Sequence, residues 1–153
     1  MVIRYATVRD KIISHLTATG MFASVNGHQP LSLPSSPATA AVWAGPVDVV
    51  PNTSGLGAVK LRLIVFVSIY VPLDDPLDQV ESTIVDSSTT VVELVCGDFE
   101  LGSTVECVDL LGSSGQAIGA QLGYAQIDSR SYRTSTVTIP LILADTDDID
   151  ETP

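Results

Sequence analysis

Val59-Lys-Leu-Arg-Leu-Ile-Val-Phe-Val-Ser-Ile-Tyr-Val71 decides the fold. Its odd positions are all apolar, and successive strand side chains point to opposite faces, so the stretch reads as one β-strand with an unbroken hydrophobic face. At about 3.3 Å per residue it extends roughly 40 Å, whereas an ordinary strand has about five or six residues. The even face is mixed. Lys60, Arg62 and Ser68 suit water, but Ile64, Phe66 and Tyr70 do not, so part of this second face should also be covered, by the chain itself or by another subunit.

Just upstream, Pro51-Asn-Thr-Ser-Gly-Leu-Gly57 is dense in turn formers. Before it, Ala41, Trp43, Val47 and Val49 mark a strand over residues 38–50, in which Pro46 signals an edge or a bulge. The two strands should form a long antiparallel hairpin with a protruding tip. Folding the register about Ser54 sets Trp43 against Val65, on the face of the apolar row.

Further upstream, Val8, Ile12, Ile13 and Leu16 recur at helical spacing between a Thr7/Asp10 capping box and Gly20, which predicts a helix over residues 8–19. Met21, Phe22 and Val25 should continue its packing, and the Pro-rich residues 26–37 form a surface connection. Downstream, Asp75-Pro76 opens a second helix over residues 76–96, closed by Gly97. Leu77, Val80, Ile84, Val91 and Val95 share its apolar face, while Asp86-Ser-Ser-Thr-Thr90 predicts a weak or exposed centre. Three more strand patterns follow, around residues 105–110, 118–124 and 134–143, with turns at Gly112-Ser-Ser-Gly115 and Asp128-Ser-Arg130. Pro140 places the last strand at an edge or a bulge. The expected architecture is α+β: a mostly antiparallel sheet of about five strands, two helices on one face and a protruding hairpin. Residues 1–144 form one domain and 145–153 an acidic flexible tail.

Composition narrows the function classes. Seven Lys and Arg against 18 Asp and Glu give a formal charge of -11, too acidic and with too few basic residues to hold phosphates. Charged residues make up only 16% and the mean hydropathy is +0.35, an apolar excess that a subunit interface would absorb. No apolar run reaches the roughly 18 to 20 residues of a membrane span. Cys96 and Cys107 are too few for a disulfide framework and read as buried thiols in a reducing cytosol. Met-Val-Ile-Arg-Tyr5 lacks the apolar core of a signal peptide, so the Asn52-Thr-Ser54 sequon marks no more than an exposed loop.

No sharp chemistry stands out. His15 and His28 have no partner at a metal-ligand spacing. Gly112-Ser-Ser-Gly-Gln-Ala-Ile-Gly119 lacks the Lys-Ser/Thr of a phosphate loop and reads as a turn. Asp74 with Asp75, and Asp98 with Glu100, suit helix ends better than a catalytic dyad. A Ser-His-Asp triad, assembled in space, has no Gly-x-Ser-x-Gly elbow behind it. Trp43, Phe66 and Tyr70 on the long strands read as core or interface before ligand shelf. The expectation is a non-enzymatic protein without cofactor or metal.

Several segments together resemble a known family. Gly20-Met-Phe-Ala-Ser-Val25, Ala40-Ala-Val-Trp43 after its Pro-rich approach, Ile69-Tyr-Val71 and Gly97-Asp-Phe-Glu-Leu-Gly102 look like the tail-terminator proteins of long-tailed bacteriophages, of the lambda minor tail protein U type. Gly123-Tyr124 and Tyr132-Arg133, followed by an Ile-Pro-Leu-Ile strand, also fit the small neck and tail proteins of such phages. The resemblance implies a structural virion protein of the tail and neck, assembled in the host cytoplasm. It implies a self-associating hexameric ring that caps the tail tube protein and meets a head-completion or neck protein, and the net charge of -11 adds the expectation of an acidic lumen through which DNA passes unbound. The expected contacts are Pro51, Asn52, Thr53, Ser54, Gly55, Leu56 and Gly57 at the hairpin tip, with Ile64, Phe66 and Tyr70 on the long strand. Another neck or tube subunit, and a small cytosolic enzyme or ligand-binding domain, are the alternatives.

Overall fold

The computed structural model describes residues 5–28, 38–49, 61–73, 77–97, 107–108 and 117–143. These form helix α1 (Tyr5–Ala18), strands β1 (Ser24–Asn26), β2 (Thr39–Val49) and β3 (Leu61–Pro72), helix α2 (Leu77–Gly97), and strands β4 (Cys107–Val108), β5 (Gly119–Ile127) and β6 (Arg130–Ile142). The expected hairpin tip, the acidic tail and the Asp75-Pro76 helix start lie outside the described residues.

The class is α+β. One sheet runs β1-β2-β3-β6-β4, with β5 pairing β6 beside β4, and only the β1/β2 pair is parallel. Five of these strands were legible in the residue pattern; the sixth, β1, is three residues long and has no periodicity to read.

The odd row of β3 behaves as its alternation dictates. Leu63, Val65, Val67, Ile69 and Val71 are buried with Val137, Ile139 and Leu141 of β6, under Val8, Ile12 and Leu16 of α1 and Val80, Ile84, Val91 and Val95 of α2. Both helices therefore cover the same face. Each such aliphatic side chain withdrawn from water contributes about 1.5–3 kcal/mol before chain entropy is set against it.

α1 starts earlier than the capping box suggested. Tyr5 adds to the stripe of Val8, Ile12 and Leu16 and packs on the core, so Thr7 and Asp10 lie inside the helix, Asp10 paired with Arg9 at 3.2 Å. The C-terminal reading holds: Gly20 has φ +69° and its amide donates to the Thr17 carbonyl, the left-handed geometry glycine tolerates.

α2 departs from expectation at its centre. Ser87 and Ser88 are buried against the sheet, and the helix is continuous through them. Ser88 Oγ lies 2.7 Å from the Ile84 carbonyl and 2.6 Å from Ser135 Oγ. A carbonyl can only accept, so Ser88 donates to it and accepts the proton of Ser135. Poor helix propensity is outweighed by a side-chain hydrogen bond to the sheet. Leu77, conversely, is exposed, and so is Cys96, the one free thiol among the described side chains.

β2 and β3 pair antiparallel as expected, but out of the anticipated register: Val47 faces Leu63, two residues from Leu61, and Trp43 faces Phe66, one residue from Val65. A bulge makes the difference between the two offsets. Ala44 opposes Val65 and Val47 opposes Leu63, leaving Gly45 and Pro46 together against Ile64. A one-residue slip moves every side chain to the other face. Thr39, Ala41 and Trp43 thus lie on the face away from the helices, whereas Val47, beyond the bulge, lies on the helix side.

β6 is an interior strand, not an edge. It pairs β3 along one side, and along the other β5 up to Thr138 and β4 from Leu141. Pro140, which has no N–H to give, falls where one outer partner gives way to the next. The β5/β6 hairpin closes through Asp128 and Ser129, at φ 48° and 69°, the two-residue turn whose twist suits antiparallel strands.

Candidate interaction surface

The sheet face opposite the helices is built from three columns whose register is fixed by the ladders. Phe66, Ser68 and Tyr70 of β3 oppose Thr138, Thr136 and Thr134 of β6. The same threonines oppose Gly119, Gln121 and Gly123 of β5. A hydroxyl column therefore runs between an aromatic column and a column poor in side chains.

Trp43 completes the aromatic side. Its ring lies 4.6 Å from that of Phe66 at 35°, and its Nε1–H donates to Ser68 Oγ at 2.8 Å. Gly45 makes room for the pair: a Cβ there would overlap Phe66 Cε2 and sit 3.1 Å from the Ile64 carbonyl oxygen. At the other end Tyr70 meets Tyr132 edge to face at 6.4 Å. Tyr132 is fully buried, and its hydroxyl has no partner among the described residues.

An open depression of about 380 Å³ lies along the columns, lined by Phe66, Gln121, Leu122, Gly123, Thr134, Thr136 and Thr138. A smaller one of about 210 Å³ continues it past Gly119 and Ala120. The lining offers hydroxyls, a carboxamide, backbone and an aromatic ring. It can pack and hydrogen-bond, but none of these groups takes a proton near neutral pH.

Of the residues singled out in the sequence, Phe66 and Tyr70 are partly exposed on this face. Ile64 shares the face but is only 3% exposed, sealed within the isolated chain opposite Pro140. Residues 51–57 lie outside the described residues. His15 sits on α1 and His28 after β1, and no group of three His, Cys, Asp or Glu able to hold a metal occurs among the described residues. No described helix is long and apolar enough to cross a membrane.

Neither the protein-family models nor the curated proteins contain a match to this chain.

A second surface, around the β5 edge, was not visible in the sequence. Arg133 projects to the helix side, where its Nε donates to Glu81 of α2 at 2.7 Å and Nη1 donates to the Gly123 carbonyl at 2.9 Å. Its guanidinium lies 4.4 Å from the centre of the Tyr124 ring. The hydrogen bond to Glu81 holds the Arg133 pKa above its ordinary value, outweighing desolvation. Nothing in the spacing of Glu81, Tyr124 and Arg133 announces this cluster, because β-register and helix packing bring it together.

Proposed function

We propose that the chain is a structural subunit of a bacteriophage tail, the terminator that forms a ring on the end of the tail tube and joins it to head-completion or neck proteins. One observation carries the reading. The helices cover one sheet face; on the other, Thr39, Ala41, Ile64, Ser68 and Tyr132 are buried within the chain, and Trp43, Phe66 and Tyr70 remain partly exposed beside a threonine column, a patch suited to packing against protein.

Two further features support it. Of the resembling segments, Ala40 to Trp43 lies in β2 and Ile69 to Val71 in β3, Gly20 to Val25 runs from just after α1 into β1, and Gly97 to Gly102 is described only at Gly97, the last residue of α2. The charge of -11 suits a bore through which DNA slides without being held. A ring of six requires a heterologous contact that closes on itself, so two different patches of each subunit must meet.

The test is assembly. Purified protein added to tail tubes should cap them, visible by negative-stain microscopy as a six-fold ring at one end. A variant lacking residues 51–57 should fold, by circular dichroism, and fail to cap. Capping by that variant removes the hairpin tip from the contact, and tubes left uncapped by the intact protein refute the terminator assignment.

A further inference from the structure

We propose that the outer face of α2 docks a basic amphipathic helix of a different protein. α2 is 21 residues long and contains no Lys, Arg or His, yet it carries Asp78, Glu81, Asp86 and Glu93. On α1 and β2 the acids are matched on the spot, Asp10 by Arg9 and Asp48 by Arg62, both at 3.2 Å. On α2 only Glu81 is matched, by Arg133 of β6; Asp78, Asp86 and Glu93 form no salt bridge among the described residues. A surface helix is ordinarily supported by a cation three or four residues from an acid. The C-terminal end of a helix also favours positive charge, but α2 has Glu93 close to that end and no basic residue in its last turn.

Exposed apolar side chains gather on the same helix. The large ones exposed among the described residues are Val47, Leu77, Val85, Leu122 and Tyr124. Leu77 and Val85 lie on α2, and Leu122 and Tyr124 on β5, which α2 contacts. Leu77, Glu81 and Val85 follow one another at four-residue spacing and so form one stripe. Glu81, in the middle of that stripe, holds Arg133, whose guanidinium stacks on the Tyr124 ring. The stripe and the ring are therefore one surface. Asp78, Asp86 and Glu93 fall within about 80° of one another around the helix, on the far side of Val85 from Glu81.

Charge and spacing select the occupant. A second copy would bring a net charge of -11 to an acidic face, with its Arg9, Arg62 and Arg133 already engaged. Nucleic acid and anionic lipid are repelled for the same reason. No group of three His, Cys, Asp or Glu able to hold a metal occurs among the described residues. A protein segment carrying Lys or Arg is attracted, and its apolar side chains can cover the stripe at the same time. Asp78, Asp86 and Glu93 succeed one another every two helical turns, or about 11 Å along the axis. Basic residues two turns apart on a helix lying alongside repeat at that interval, whereas one face of a strand repeats at about 7 Å. The docking face is independent of the terminator role.

The test is calorimetric titration of the intact chain with a synthetic Lys/Leu amphipathic helix of about 20 residues. A Glu/Leu peptide and a Lys/Gly peptide of equal charge serve as controls. Asp86→Lys and Val85→Ser change the face, and Asp10→Lys makes the same change of charge on α1; all three sites are exposed, and circular dichroism checks folding. The Lys/Leu peptide should bind one to one, about tenfold more weakly to Asp86→Lys and to Val85→Ser and nearly unchanged to Asp10→Lys. The Glu/Leu peptide should not bind. Failure of the Lys/Leu peptide to bind overturns the assignment. Equal weakening by Asp86→Lys and Asp10→Lys, or equal binding of the Lys/Gly peptide, shows attraction to bulk charge alone and overturns it too. A wild type that self-associates, by light scattering, and is dispersed by Asp86→Lys puts a second copy on the face and overturns the choice of partner. Peptide binding by a protein that caps no tubes leaves this face standing and refutes the terminator reading alone.

Discussion

Ser88 of α2 and Ser135 of β6 are hydrogen-bonded at 2.6 Å within a mainly aliphatic core, tying the longer helix to an interior strand. Both side chains are short, so a bond between them requires the two backbones to lie close together here.

Replacing Ser88 with alanine leaves the buried Ser135 hydroxyl without its partner. Such an orphaned group costs about 1–3 kcal/mol, more than the net worth of the bond. In urea titrations Ser88→Ala should fall in this range, and the double variant Ser88→Ala/Ser135→Ala should lose less than the sum of the singles. Additive losses would show that the two hydroxyls act separately.

Gly45→Ala should destabilise by about 1–3 kcal/mol, the usual penalty for forcing a side chain into occupied space. The obstacle is the Phe66 ring, so Phe66→Leu in the same chain should recover part of the loss. Equal losses in both backgrounds would point to the backbone at the bulge as the source.

Tyr5 titrates against folding at high pH. Its buried hydroxyl has no partner among the described residues, and burial raises its pKa above 10.0, with Arg9 opposing more weakly. A proton bound more tightly in the folded state contributes stability that is complete below the unfolded value and is lost as pH rises through the folded one. Tyr5→Phe should therefore match the wild type within about 1 kcal/mol at neutral pH and hold its melting temperature better above pH 10. Parallel alkaline melting curves for the two proteins would contradict this.

Trp43 is the sole tryptophan and lies partly exposed in the aromatic column, so it reports directly on that face. Binding of the tube end should shift its emission to shorter wavelength and reduce quenching by acrylamide. Binding with no change in either signal would move the contact away from this face.

The alternation of β3 was enough to place the core, because a period-two row of seven apolar residues has no competing interpretation. The same reasoning failed at Trp43, since a bulge inserts one residue without altering composition, and the inward or outward sense of everything before Gly45 depends on it. Pro46 carried the signal, but only as a place where pairing could be irregular. The centre of α2 was misread for a different reason: Ser87 and Ser88 look like surface residues until the helix is docked and Ser135 is found opposite. Ile64, Phe66 and Tyr70 shared one expectation, cover from the chain or from another subunit; Ile64 is covered within the chain, and Phe66 and Tyr70 stay partly exposed. The Glu81, Arg133 and Tyr124 cluster joins three elements, so only the assembled fold reveals it.

The interior position of β6 has a consequence for synthesis. The strand that completes the ladder with β3 ends at Ile142, so while the ribosome works through the first hundred residues, Val65, Val67 and Ile69 belong to a half-built sheet with one flank open. Long-range partners of this kind arrive late and leave apolar surface unprotected meanwhile. The nascent chain must therefore wait for its distal portion before it can settle, and a message truncated before β6 would yield a sticky fragment instead of a smaller working subunit.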